Sequence, residues 1–354
     1  MACALVPSSE MVAHDGAKRR ILIVTDAWHP QINGVVRTLA ATGKELMRAG
    51  HQVEMHTPAD YLTMPCPLYP EIKLALFPRR RLSAILTAFK PHHIHIATEG
   101  PIGLRARSFC LRHGLRFSTS FHTHFAKYLK HLAAVPTWVT WRYLRWFHGA
   151  AEHIMTATPS LEEELRSHGL TRLCRWQRGV DHEIFYPYPK TTASDRRPVL
   201  LFVGRISKEK NIDAFLRLSV PGTKRVVGDG PYRAQLQKRY PEVEFLGYRR
   251  GVDLAQAFSD ADVFVFPSLT DTFGVVVLEA LACGVPVAAF PAQGPKDILT
   301  SPETGCCDKD LGRAVEAALR TGSREACCAL AKQYTWEAAA GQFFNNLVPA
   351  VSTV

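Results

Sequence analysis

Apolar and polar positions along this chain follow two rhythms. Short apolar runs bounded by polar or turn residues recur at Ile21–Thr25, Gln52–Thr57, His93–Ala97, Phe117–Phe121 and His153–Ala157. Such runs predict strands buried on both faces. Longer stretches with helical spacing lie between them, the clearest being Val35–Ala49, which Gly50 is placed to end. After a proline-rich stretch, Phe185–Pro198, the rhythm restarts at Val199–Val203, Lys224–Val227, Val243–Leu246, Val263–Phe266 and Val285–Phe290. Strands alternating with helix-length segments predict parallel sheets with right-handed crossovers.

Two such series predict an α/β chain of two doubly wound, Rossmann-like domains. Ligands are then expected at the carboxyl ends of the strands, in a cleft between the domains. The boundary is expected near residue 190, in the proline-rich stretch. This gives a disordered extension over residues 1–18, domains over 19–189 and 190–335, and a C-terminal helix over 336–354, with Trp336–Leu347 crossing back to the first domain.

The 354 residues are 47% hydrophobic, enough for a full core in each domain. No apolar run approaches the roughly 18–20 residues of a membrane span. The N-terminal MACALVPSSEMVAHDGAKRR lacks the long apolar stretch of a signal peptide. The nine cysteines follow no framework spacing, which suits a reducing, cytoplasmic setting. Cys306–Cys307 and Cys327–Cys328 are read as small buried residues, because adjacent cysteines are poorly placed to share one ion. The charge changes the picture more. Residues 1–190 hold 24 Lys and Arg against 14 Asp and Glu, a net +10 of the overall +11, and all 15 histidines. A basic first half suggests an anionic partner: a membrane surface, a phosphorylated acceptor or nucleic acid.

Two segments of the second half carry chemistry. In Val203-Gly204-Arg205-Ile206-Ser207-Lys208-Glu209-Lys210-Asn211, Gly204 turns the backbone at a strand end, and Arg205 and Lys210 place two cations at a strand-to-helix junction. A diphosphate needs such fixed charge together with backbone donors. In Pro267–Glu279, Asp271 lies in a loop and Glu279 eight residues on, inside an apolar helix expected over Val275–Ala282. A carboxylate there must be hydrogen-bonded or neutral, and a ribose diol would satisfy it. Asp271 could hold sugar hydroxyls, with the amides of Thr272, Phe273, Gly274 and Val275 taking phosphate. A structural ion pair or an N-cap suits Asp271 equally well.

These segments resemble the family 4 retaining glycosyltransferases of the GT-B fold. Gly204…Glu209-Lys210-Asn211 is similar to that family's phosphate loop, and Asp271-x7-Glu279 to its E-x7-E motif, with Asp where Glu is usual. Val227-Gly228-Asp229-Gly230-Pro231, Phe245–Tyr248, Ala261–Ser268 and Leu278–Val287 match in order. The first half resembles the bacterial branch of diacylglycerol glycosyltransferases and GDP-mannose-dependent α-mannosyltransferases. The matching segments are Thr25–Thr38, Thr98–Gly103, Ser120–Phe125 and Arg178–Asp181. Asn33-Gly34 in the first is read as a turn that lets the backbone, at Gly34, approach a ligand.

The resemblance implies hexosyl transfer with retention from a UDP- or GDP-sugar held by the second domain, to an acceptor held by the first, without metal or cofactor. His122 matches a histidine that contacts the donor sugar. Catalysis would rest on Arg205 and Lys210 neutralising the leaving diphosphate, with Asp271 on the sugar and Glu279 on ribose. The histidines 92, 93, 95, 122 and 124 lack a close carboxylate or cysteine to complete a zinc set. An aromatic and basic run, Trp138, Trp141, Arg142, Tyr143, Arg145, Trp146 and Phe147, suits a lipid headgroup interface, with Arg79, Arg80 and Arg81 as a second contact and Lys127 and Lys130 nearby. Filling the domain core is the other reading of its aromatics. A nicotinamide dehydrogenase is disfavoured, since residues 25–38 hold only Gly34 where Gly-x-Gly-x-x-Gly would be needed. An epimerase and a nucleic-acid-binding module are further rivals, and the latter leaves the second half's motifs unexplained.

Overall fold

The computed structural model describes residues 17–31, 33–66, 69–76, 78–122, 136–191 and 197–351, with the backbone alone at 69–72, 79 and 80. The expected N-terminal extension falls outside them up to residue 16, as do His124, Lys127, Lys130 and the side chains of Arg79 and Arg80. Two compact units result, one running to Gln177 and resuming at Trp336, the other Arg178–Thr335.

The first unit contains β1 (Arg20–Val24), α1 (Gly34–Arg48), β2 (Gln52–His56), β3 (Thr63–Cys66), β4 (Tyr69–Ala75), α2 (Arg79–Phe89), β5 (His93–Ile96), α3 (Pro101–Arg112), β6 (Ser118–Ser120), α4 (Thr137–His148), β7 (His153–Thr156), α5 (Pro159–Ser167) and β8 (Leu173–Arg175). Its parallel sheet has the order β2-β1-β5-β6-β7-β8, and β3 and β4 form a separate hairpin. Alternation along the strands sorts side chains to two cores. Leu22, Val24, Ile94 and Ile96 pack with Leu82, Ile102, Leu144 and Phe147 on one face. Ile21 and Ile23 pack with Leu39, Trp176 and Phe343 on the other.

The second unit contains β9 (Val199–Val203), a 3-10 turn (Lys208–Lys210), α6 (Ile212–Leu216), β10 (Thr223–Val227), α7 (Arg233–Arg239), β11 (Glu244–Gly247), α8 (Gly251–Ser259), β12 (Val263–Phe266), α9 (Val275–Ala282), β13 (Val287–Ala289), α10 (Gln293–Ile298), β14 (Gly305–Cys307), α11 (Leu311–Thr321) and α12 (Arg324–Ala331). Its parallel sheet runs β11-β10-β9-β12-β13-β14.

The last helix, α13 (Trp336–Asn345), belongs to the first unit. Its Phe343 fills the core against β1, and the tail behind it is pinned by backbone bonds from Arg116 N to Ala350 O and from Ala350 N to His92 O, both 2.8 Å. The junction at Gln177 falls earlier than the expected residue 190. The chain after it is already held by the second unit: Val180 N donates to Tyr334 O, Tyr188 N to Ser259 Oγ, and Thr191 N to Asp260 Oδ1. Prolines mark where the backbone is extended, not where its contacts change hands.

Candidate functional site

In a doubly wound sheet, ligands bind outside the carboxyl ends of the strands where strand order reverses. In the second unit that point lies between β9 and β12. The loop after β9 carries Gly204, Arg205 and Lys210, and the loop after β12 carries Asp271. The two loops are tied together. Lys210 Nζ lies 2.6 Å from Asp271 Oδ1 and 2.9 Å from Oδ2. Asn211 Nδ2 donates to Pro267 O at 3.1 Å, and Thr270 Oγ1 donates to Glu209 O at 3.4 Å. Asn211 takes a left-handed φ of +52°, a conformation asparagine tolerates better than most residues. Arg205 and Lys210 are both half-buried. Two cations, one already oriented by a carboxylate, can receive a diphosphate.

The loop after β9 rests on Val227-Gly228-Asp229-Gly230. Gly204 N donates to Val227 O and Ile206 N to Asp229 O. A Cβ on Gly228 would lie 1.9 Å from Gly204 O, and one on Gly230 2.4 Å from Ile206 O. The two glycines are therefore the floor under the cationic loop. Gly274, at φ +82°, caps α9 in the left-handed region, and a Cβ there would come within 2.9 Å of the Phe266 ring. Thr272 and Phe273 are buried and Val275 opens the helix half-buried. Glu279 lies one turn into α9 and is fully buried.

In the first unit the reversal lies between β1 and β5. Asp26 follows β1. It accepts from Ile102 N (2.8 Å) and Gly103 N (3.2 Å), at the start of α3, and from Thr98 Oγ1 (3.0 Å). Burial outweighs these bonds and pushes its carboxyl up to about 6. Glu99 follows β5, with Oε1 held at 3.0 Å by Nε2 of the fully buried His148, whose Nδ1 meets Thr119 Oγ1. His122 follows β6, half-buried, with Nε2 2.8 Å from Ser120 Oγ and its ring edge-on to Trp176. Ser120 also meets Nε2 of buried His95 at 3.0 Å. The expected His93 and His95 face thus pairs with backbone and serine, and among the described residues no group of three or more His, Cys, Asp or Glu could hold a metal ion.

The family model described as "Glycosyltransferase Family 4" matches residues 32–184, and that described as "Glycosyl transferases group 1" matches residues 197–321. The chain is 32% identical over 312 residues to a GDP-mannose-dependent alpha-mannosyltransferase of Mycolicibacterium smegmatis, covering 81% of this chain and 83% of that one. The chain belongs to the family 4 glycosyltransferases. It is also 25% identical to the alpha-monoglucosyldiacylglycerol synthase of Streptococcus pneumoniae, over 85% of this chain and 78% of that one. Among solved structures, sucrose-phosphate synthase from Thermosynechococcus elongatus superposes with a TM-score of 0.71 at 22% identity, covering 93% of this chain and 98% of that one. The fold is accordingly GT-B, and the protein is a nucleotide-sugar-dependent glycosyltransferase.

Within this glycosyltransferase two expected features need correction. Asn33-Gly34 is not a turn. Asn33 caps α1, its Oδ1 accepting from Val35 N and Val36 N at 3.0 Å, and Gly34 is the first helical residue. Trp141 does not belong to a headgroup face. It is 8% exposed, stacked on the rings of Phe121 and His168. Trp138 is 67% exposed, and Arg142 and Arg145 are exposed with it. Trp146 is half-covered by the Arg107 guanidinium, 4.0 Å above its ring. Arg81 lies 3.7 Å from Asp60. The paired cysteines are mostly covered, and burial pushes the Cys307 thiol up to about 11 and Cys327 to about 12. Asp26 and Glu99 lie in the matching segments Thr25–Thr38 and Thr98–Gly103 but have no role assigned by the resemblance, and His148 lies in no matching segment. A further signal for the two acids is position, each lying just beyond the end of an apolar strand.

Proposed function

We propose that this glycosyltransferase moves a hexose, with retention and without a metal ion, from a UDP- or GDP-sugar to a lipid acceptor such as a diacylglycerol or glycolipid, at an anionic membrane surface. The observation that carries it is the pair of cations at the β9–β12 reversal, Arg205 and Lys210, with Lys210 oriented by Asp271. Leaving-group stabilisation by fixed charge is the main catalytic effect, and it needs no divalent ion where two side-chain cations meet the diphosphate. Asp271 and His122 would meet sugar hydroxyls, Glu279 the ribose, and the amides of Phe273–Val275 a phosphate. The likeness to a diacylglycerol-glucosylating synthase and the basic first half support the lipid acceptor.

The test is a screen of UDP-glucose, UDP-glucuronic acid and GDP-mannose against diacylglycerol vesicles, phosphatidylinositol vesicles and soluble sugars. Mass spectrometry reads the product and NMR its anomeric configuration. Transfer to vesicle lipid with a retained α-linkage, unaffected by chelator, is expected. An inverted linkage, loss of turnover on chelation, or transfer to soluble sugar alone would each remove the corresponding part of the proposal.

A further inference from the structure

The strand-order rule selects Glu99 in the first unit as it selects Lys210 and Asp271 in the second. The two acids at the β1–β5 reversal differ in how fully they are used. Both oxygens of Asp26 accept bonds from the start of α3 and from Thr98, and the residue is 6% exposed. A Cβ on Gly100 would strike Asp26 at 2.4 Å, so that group is a fixed strut between β1 and α3. Among the described residues Glu99 is held at one oxygen only. Oε1 meets His148 Nε2, and Tyr143 Oη fixes the residue's backbone by donating to Glu99 O at 2.6 Å. The side chain is 14% exposed, while His148 behind it is 0% exposed. Among the described residues no second hydrogen bond reaches the Glu99 carboxylate, whose side chain is partly exposed. A carboxylate locked through one oxygen, with the other open at the reversal of a doubly wound sheet, is a preorganised acceptor of hydroxyl hydrogen bonds.

We propose that Glu99 binds the hydroxyl-bearing polar end of the acceptor, and that His148 is a positioning residue for it. This rests on the reading that the first unit holds the acceptor. No proton transfer is assigned to Glu99: its Oε2 receives the hydrogen bond, and His148 keeps the carboxylate from swinging away.

The experiment uses the full-length protein, dioleoylglycerol in phosphatidylglycerol vesicles and, separately, glycerol as a soluble probe. Nucleoside diphosphate release without acceptor, where water takes the sugar, monitors donor binding and cleavage apart from the acceptor. Loss of one charge-assisted hydrogen bond corresponds to about tenfold or more in binding. Glu99→Gln should therefore raise half-saturation for the acceptor at least about tenfold and lower acceptor-free release by much less. His148→Asn should raise it less, and Glu99→Asp should fall between wild type and Glu99→Gln. A thermal melt checks that each variant is folded. An unchanged half-saturation in folded Glu99→Gln and Glu99→Asp would overturn the assignment, as would equal loss of acceptor-free release. A wild type that releases nucleotide yet glycosylates neither probe would instead remove the acceptor reading beneath it, and this assignment with it.

Discussion

Lys210 directs two of its three ammonium donors at a single carboxylate, with Nζ 2.6 Å from Asp271 Oδ1 and 2.9 Å from Oδ2. The side chains are 29% and 23% exposed, so water screens the pair and its direct worth to stability is small. Its consequence is positional: the ammonium is held where β9 and β12 part. Lys210→Ala and Arg205→Ala should each lower turnover by about two orders of magnitude, the usual loss when a fixed transition-state charge is removed. Lys210→Ala combined with Asp271→Asn should lose less than the product of the single effects, because either change breaks the same pair. Turnover losses that multiply would show the two residues acting independently.

Glu279 separates a ligand role from a structural one. It is fully buried on an otherwise apolar helix. Glu279→Gln keeps the shape and removes one acceptor oxygen. If ribose hydroxyls are its partners, affinity for free nucleoside diphosphate should fall about tenfold or more by calorimetry, with a small change in Tm. A large fall in Tm at unchanged nucleotide affinity would make Glu279 a structural carboxylate only.

The floor under the phosphate loop gives a steric prediction. A methyl on Gly228 would sit 1.9 Å from Gly204 O, a backbone atom that moves only if the whole loop shifts. Gly228→Ala should therefore lower stability by about 1–3 kcal/mol, the range for overpacking, and weaken nucleotide binding with it. Gly34→Ala is its control. Nothing lies within 4 Å of a Cβ there, so stability should not fall. A Gly228→Ala protein as stable and as active as wild type would contradict the close approach.

Much of the fold is legible because strands buried on both faces need unbroken apolar runs, as at Ile21–Val24 and Val263–Phe266. The short strands Leu173–Arg175 and Gly305–Cys307 escape that pattern, being edge strands with fewer buried positions. In the second unit Arg205 and Lys210 stand in one short loop and Asp271 in another, so each segment is visible in the sequence, although the Lys210–Asp271 pair itself joins residues 61 apart. The first unit's network is not local. His148 meets Glu99 from 49 residues away, and Asp26 meets Gly103 from 77. Only folding brings such partners together. Helical spacing also cannot sort Trp138 from Trp141, since three residues leave both near one face, and packing against Phe121 decides it.

Asp26 makes stability depend on pH. Burial raises its folded pKa from 3.8 to about 6. Between about pH 4 and 6 the folded state keeps a proton that the unfolded chain has released, so stability falls as pH rises through that window and levels off above it. The size is about 3 kcal/mol. Denaturant unfolding of wild type and Asp26→Asn from pH 4 to 7 checks it. The stability of wild type relative to the variant should decline across the window, because asparagine does not titrate. A constant difference between the two would mean that Asp26 ionises at an ordinary pH.

The proposed membrane face is now narrower than the aromatic run that suggests it. Trp138, Arg142 and Arg145 are exposed at i, i+4 and i+7 of α4, whereas Trp141 is core. An arginine near an anionic surface contributes about 1 kcal/mol, and an exposed tryptophan adds an interfacial anchor. Co-sedimentation with phosphatidylglycerol vesicles should rise with the anionic fraction and fall with salt, as the Debye length shortens. Reversing both arginines, Arg142→Glu with Arg145→Glu, should weaken it about thirtyfold or more. Trp138→Ala should weaken it without changing Tm. Trp141→Ala should do the opposite, lowering stability by about 3–5 kcal/mol as a buried aromatic does, while protein that remains folded binds vesicles as before. Vesicle binding that is indifferent to Arg142 and Arg145 would place the membrane contact elsewhere. No binding at low salt, together with efficient transfer to a soluble sugar, would turn the basic first half toward a soluble anionic acceptor.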